Sequence, residues 1–119
     1  MPTIPYTLLQ AIAREEGFYV DGSRPARNFN PGDLEWQPWM IPFGASGGDP
    51  RFAIFTDANQ GFAALRHLFG FPLYRGTTIS EAMGHYLSGE SGPDIAQYIL
   101  NICSFCEVTP DTIIDGIIG

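Results

Sequence analysis

Apolar residues recur at helical spacing in several stretches of this chain and alternate in one. Leu8, Leu9 and Ile12 share a face at about 100° per residue, with Gln10 and Arg14 opposite. This predicts a first helix from about Pro5 to Glu16. Thr3 or Thr7 can cap its start, and Gly17 suits the position just past its end. Arg51-Phe52-Ala53-Ile54-Phe55 alternates and predicts a short strand. Asp57 with Gln60 has capping-box spacing and opens a helix to about Phe69, with Phe62, Leu65, Leu68 and Phe69 inward. Gly70 and Pro72 end it. Thr78 with Glu81 is a second capping box, for a helix to about Leu87 with Ile79, Ala82, Met83 and Tyr86 as its stripe. Ser91-Gly92-Pro93 opens another helix, which buries Ile95, Tyr98, Ile99, Ile102 and Cys106. Thr109-Pro110 opens a last short helix to about Asp115.

Residues 20 to 50 resist assignment, because prolines and glycines punctuate them throughout, with Trp36 and Trp39 among them. A long irregular stretch inside a small domain usually carries function. The pattern as a whole predicts a mainly α (α+β) fold: about five helices, a small β patch, and a long loop region after the first helix. With 119 residues, no repeat and no linker-like tract, residues 1–119 read as one domain with a core of its own.

Charge narrows the partners. Thirteen acids against six arginines give a net charge of −7. All six arginines fall in residues 1–75, and residues 76–119 hold six acids and no base. Such a chain lacks the basic face that nucleic acid or an anionic membrane demands. No apolar run approaches the roughly 20 residues of a membrane span. Met1-Pro2-Thr3-Ile4-Pro5 has no basic n-region, so no signal peptide is expected and the chain is expected to be made in a cytoplasm.

Few residues suggest chemistry. Glu16 stands at the last turn of the first helix, near the centre of its apolar stripe, whereas Glu15 lies nearer the edge. The negative end of the helix dipole and desolvation both disfavour ionisation there, as a general acid requires. The alternative is that Glu16 caps a neighbouring loop or forms an ordinary ion pair with Arg24 or Arg27. The Arg27-Asn28-Phe29-Asn30-Pro31-Gly32-Asp33-Leu34 segment is either a tight turn or a set of amide groups suited to sugar hydroxyls and N-acetyl groups. Trp36, Trp39 and Phe43 either stack on sugars or pin the loop to the core. Cys103 and Cys106 form a CxxC without a second pair or nearby histidine, so buried packing is expected rather than zinc, with a loosely redox-active pair as the alternative. His67 and His85 have no nucleophile at motif spacing, and neither a phosphate loop nor a dinucleotide fingerprint is present. No cofactor and no metal are expected.

In order along the chain, Ala11-Ile12-Ala13-Arg14-Glu15-Glu16-Gly17-Phe18, Ser23 to Leu34, Phe43 to Phe55 and Gly61-Phe62-Ala63-Ala64-Leu65 resemble the start of phage-type lysozyme-like domains. Lytic transglycosylases and muramidases of phage endolysins, virion-associated lysins and prophage regions belong to that group. The resemblance spans roughly residues 8 to 112. It implies a lysozyme-like fold that cleaves the β-1,4 bond between N-acetylmuramic acid and N-acetylglucosamine in peptidoglycan. Glu16 would be the catalytic acid, Asn28 and Asn30 part of the active-site turn, and Phe52 to Phe55 the strand beside the cleft. Tyr86 and Tyr98 would lie near sugar subsites. The Leu87 to Asp94 stretch departs from the Pro- and Asn-rich loop of related chains. A hydrolase needs a second carboxylate, for which Asp33, Glu35 and Asp49 are available without a pattern to single one out. A single Glu therefore favours a lytic transglycosylase. The alternatives are a hydrolytic muramidase and a non-catalytic glycan-binding or virion structural module. The resemblance implies the glycan strand as partner, and action on the cell wall after holin-type release or within a phage particle.

Overall fold

Thr7 sets the beginning of the first helix. In the computed structural model, which describes residues 5–88 and 94–119, α1 runs Leu8–Glu16. The Thr7 side chain accepts from the Gln10 N–H while the Gln10 side chain accepts from the Thr7 N–H. This reciprocal cap starts the helix three residues later than the apolar periodicity suggests. Gly17, at φ 86°, ends it in the left-handed conformation. Leu8, Leu9, Ala11, Ile12 and Ala13 are all buried. The carbonyls of Ile117 and Ile118 accept from the N–H groups of Leu8 and Leu9, so the last residues satisfy donors the first turn cannot pair itself.

The region between residues 20 and 50 is more regular than its composition suggests. Ser23 caps a one-turn helix, α2 (Arg24–Arg27), with Pro25 inside the first turn, where no N–H is needed. Pro38–Phe43 form a 3₁₀ helix. Ser46–Asp49 (β1) pairs antiparallel with Phe52–Ile54 (β2), with Gly47 opposite Ala53 and a bulge before Asp49. The alternation around Phe52 predicts β2. Its partner, Ser-Gly-Gly-Asp, carries no apolar pattern because that strand is almost wholly exposed.

Three further helices close the core: α3 (Ala58–Leu68), α4 (Ile79–Tyr86) and α5 (Asp94–Cys106). Asp57 accepts from the Gln60 N–H, which is the forward half of the expected capping box. The Thr78–Glu81 box is complete. The expected opening of α5 at Ser91-Gly92-Pro93, the Leu87 to Asp94 departure over residues 89–93, and the Thr3 cap lie outside the described residues. On α5 the buried side chains are Ile102, Cys103 and Cys106, while Ile95, Tyr98 and Ile99 are half-buried.

The last expected helix is not formed from Thr109 to Asp115. Only a 3₁₀ turn, Ile114–Gly116, is present. The reason is where the backbone bonds go. The carbonyls of Pro110 and Thr112 accept from Ser80 and Ile79, and Ile114 N–H donates to Thr77. Apart from one turn in which the Thr112 N–H donates to the Thr109 carbonyl, the segment bonds to the start of α4 and does not continue as a helix. One apolar cluster, including Ile12, Leu65, Phe69, Met83, Ile102 and Ile114, joins the helices, and Phe55 and Met40 extend it to the hairpin and the 3₁₀ helix. The architecture is α-rich with a small two-stranded antiparallel sheet. No helix among the described residues is long and apolar enough to cross a membrane.

Candidate functional site

A cleft of about 670 Å³ opens beside the C-terminal end of α1. Glu16 lines it from α1, Asp33 and Glu35 from the turn that follows α2, Phe52 from β2, and Tyr86 from α4. Arg24 and Arg51 complete its charged lining. Glu16 also lines an adjoining recess of about 240 Å³ with Tyr98, Glu15 and Asp94.

The turn from Asn28 to Leu34 owes its shape to Asn30, which is 0% exposed. Its side-chain Nδ2 donates to the carbonyls of Leu34 (2.9 Å) and Ala53 (3.0 Å), and its Oδ1 accepts from the Leu34 N–H (2.9 Å). The amide thus ties the turn to β2, and no donor or acceptor of Asn30 is directed to the cleft. Phe29 and Asp33 flank the turn with positive φ of 51° and 47°. Gly61 lets α3 lie against it: a Cβ there would stand 2.0 Å from the Phe29 carbonyl oxygen. The Tyr86 hydroxyl donates 2.6 Å to the Gly32 carbonyl and so holds the other side of the turn.

Among the described residues, the three carboxylates that line the cleft have different partners. Asp33 receives a bidentate ion pair from Arg24, through Nε at 3.0 Å and Nη2 at 2.6 Å. Glu35 accepts from Arg51 Nε at 2.6 Å. Glu16 accepts on Oε2 from the Tyr98 hydroxyl at 2.7 Å. Burial, followed by the neighbouring Tyr86 and Glu16, pushes the Tyr98 phenol far above its ordinary pKa, so it remains a donor. Burial does the same to Tyr86. The Arg24 guanidinium is raised first by its hydrogen bond to Asp33, with the charges of Asp33, Asp49 and Glu16 adding to it against burial. Arg24 therefore pairs with Asp33 while also interacting with the charge of Glu16. Asp49 lies away from the cleft, in an ion pair with Arg27.

The structure brings Glu16, Phe52 and Tyr86 to the cleft and Tyr98 to its adjoining recess. It does not bring Asn28, Asn30 or Phe55 there. Asn28 ends α2 at 4% exposure, with its carbonyl accepting from Phe55 N–H, and Phe55 is 2% exposed in the core. These three are supports for the turn and the hairpin. Trp39 and Phe43 pack with His67 and Phe71 and fasten the 3₁₀ helix to α3, as the loop-pinning reading has it, while Trp36 lies against Gly47. Arg51 was not visible as a cleft residue in the sequence. Its one signal is the alternation that makes Phe52 a strand residue beside it. Among the described residues, no three His, Cys, Asp or Glu side chains gather as a metal site.

No protein-family model matches the chain, and neither curated proteins nor solved structures give a significant match to it.

Proposed function

We propose that this chain cleaves the β-1,4 bond between N-acetylmuramic acid and N-acetylglucosamine in peptidoglycan, as a lytic transglycosylase with Glu16 as its acid and base. The observation that supports this reading best is the division of the cleft carboxylates. Asp33 and Glu35 are hydrogen-bonded to arginines, and Glu16 accepts from the half-buried Tyr98 phenol at the junction of cleft and recess.

In this mechanism protonated Glu16 gives its proton to the glycosidic oxygen as the bond from the muramoyl C1 breaks. The leaving strand departs with a new hydroxyl. The Glu16 carboxylate then takes the proton of the C6 hydroxyl as O6 bonds to C1, which closes a 1,6-anhydro ring and returns Glu16 to its acid form. Phe52, with the Arg24 and Arg51 guanidinium groups against its ring, and Tyr86 form a fixed wall beside this reaction. The enzyme would act on the wall after holin-type release or as a component of a phage particle.

Two other outcomes have support of their own. Asp33 and Glu35 in the cleft favour a hydrolytic muramidase, which requires a second carboxylate. The net charge of −7 favours a non-catalytic module, since anionic walls repel such a chain at long range. Mass spectrometry of products from purified peptidoglycan separates the three. Anhydro-muramoyl ends support the transglycosylase, reducing ends the muramidase, and no products the binding module. Glu16→Gln should abolish product formation while the circular dichroism spectrum is unchanged.

A further inference from the structure

Two guanidinium groups lie against one aromatic ring on the wall of the cleft. The centre of the Arg24 guanidinium is 3.6 Å from the Phe52 ring centroid, and that of Arg51 is 4.8 Å from it. Their carboxylate tethers differ. Arg24 engages Asp33 through both Nε and Nη2, and Asp33 is only 9% exposed. Arg51 engages Glu35 through Nε alone, and their side chains are 68% and 55% exposed. Arg24 is therefore built into the fold. Arg51 stands in an exposed pair of the kind worth about 0–1 kcal/mol. Both Nη groups of Arg51 make no hydrogen bond among the described residues. The contact with the Phe52 ring restrains the Arg51 guanidinium, which lowers the entropy lost when it meets a planar anion.

We infer that Arg51 recognises a carboxylate on the substrate and makes the cleft selective for carboxylate-bearing muramoyl strands over neutral N-acetylglucosamine polymers. This rests on the proposed function. In that substrate every second sugar carries a lactyl ether that ends in a carboxylate or in a peptide with carboxylates of its own. A bidentate guanidinium–carboxylate contact suits either source. Charge elsewhere on the chain cannot supply the attraction, since the net is −7 and, among the described residues, the cationic side chains lining the cleft are Arg24 and Arg51. Glu35 competes for the same guanidinium and weakens the contact.

The test is calorimetric binding to the full chain carrying Glu16→Gln, so that no probe is consumed. The probes are a chito-oligosaccharide, a peptide-free muramic-acid-containing strand of equal length, and the same strand with stem peptides. Tighter binding of either carboxylate-bearing strand is expected, and which of the two is preferred assigns the lactyl or the peptide carboxylate. Adding Arg51→Gln should cut that preference about tenfold and leave chito-oligosaccharide binding unchanged. Adding Glu35→Gln should increase it, and raised salt should shrink it. Equal binding of all three probes, or an equal loss for all three in Arg51→Gln, overturns the inference while leaving the proposed function standing. Binding of none of them overturns both. Melting curves of each variant establish that a lost preference is not lost folding.

Discussion

The Tyr98 hydroxyl donates a 2.7 Å hydrogen bond to Oε2 of Glu16, joining α5 to the end of α1 across 82 residues of sequence. Neither residue reaches this arrangement through local structure. Glu16 is carried by a helix whose apolar face is buried, and Tyr98 is held by α5 packing against that same helix. The bond fixes the carboxylate at the boundary of cleft and recess.

Tyr98→Phe keeps the ring and removes the donor. Under the proposed function, turnover should fall about tenfold, in line with the loss of one hydrogen bond that orients Glu16. KM should change little, because the phenol orients the acid and does not line the main cleft. Steady-state kinetics on solubilised glycan strands check this. An unchanged turnover number means the orientation is set by other contacts. Glu15→Gln is the control: Glu15 accepts from Asn101 at 2.9 Å, and its loss should lower stability slightly and turnover hardly at all.

Asn30→Ala should lower stability by about 2 kcal/mol or more, since it removes three buried hydrogen bonds and takes the acceptor from the Leu34 N–H, although the Leu34 carbonyl keeps its bond from the Ala53 N–H. Turnover per folded molecule should stay near wild type, because the side chain is enclosed. Urea unfolding, with activity measured on the folded fraction, decides between this and a direct contact with substrate.

Asn30 also shows where the sequence stops being informative. Helix α1, helix α4 and strand β2 are readable because their signals are local: Thr7, Gly17, Thr78 with Glu81, and the alternation around Phe52. Glu16 as the candidate acid follows from the face it occupies on α1. The turn at 28–34 is different. Asn30 looks like an exposed turn residue, yet its partner Ala53 is 23 positions away. The Arg51–Glu35 pair spans 16 positions and the Arg24–Asp33 pair nine. Local pattern cannot state which of these closes. The same applies to residues 109–115, whose hydrogen bonds are committed to the start of α4.

Two glycines on successive helices should respond in opposite ways. Gly61→Ala would drive a methyl group to 2.0 Å from the Phe29 carbonyl oxygen and 2.7 Å from Pro31 Cδ, so α3 must move off the turn. A loss of about 2 kcal/mol or more is expected, as for other overpacked sites. A Cβ at Gly84, inside α4, meets nothing within 4 Å. Gly84→Ala should therefore stabilise by about 0.5–1 kcal/mol through helix propensity alone. Thermal melts of the two variants should shift in opposite directions.

Acid should weaken the hairpin side of the molecule through Asp49. The hydrogen bond from Arg27, then the nearby Asn28 amide, holds its carboxyl below the ordinary value of 3.8. A carboxyl depressed in the folded state adds stability that is full above its unfolded pKa and is lost as pH falls through the folded pKa. The window is therefore below about pH 4. Melting temperature followed through that window should fall less steeply in Asp49→Asn than in wild type. Raised salt should narrow the difference, because the pair is exposed and screened.

The two thiols should be chemically quiet in the folded protein. Cys103 and Cys106 are both buried on the inner face of α5. Burial, followed by the neighbouring Cys103, pushes the Cys106 thiol up to about 11, and burial also raises Cys103. At neutral pH little thiolate is present to attack a reagent. Alkylation by iodoacetamide should be slow at pH 7, speed up as pH approaches 11, and become fast at pH 7 only in denaturant. Cys103→Ala and Cys106→Ser should each cost about 1–3 kcal/mol, the usual range for trimming or polarising a packed position. Turnover of the folded fraction should not change, and neither reductant nor chelator should affect it. Rapid labelling of the native protein at pH 7 would mean an open, activated thiol, and a chelator that stopped turnover would mean a metal element; either would displace the packing role given to this pair.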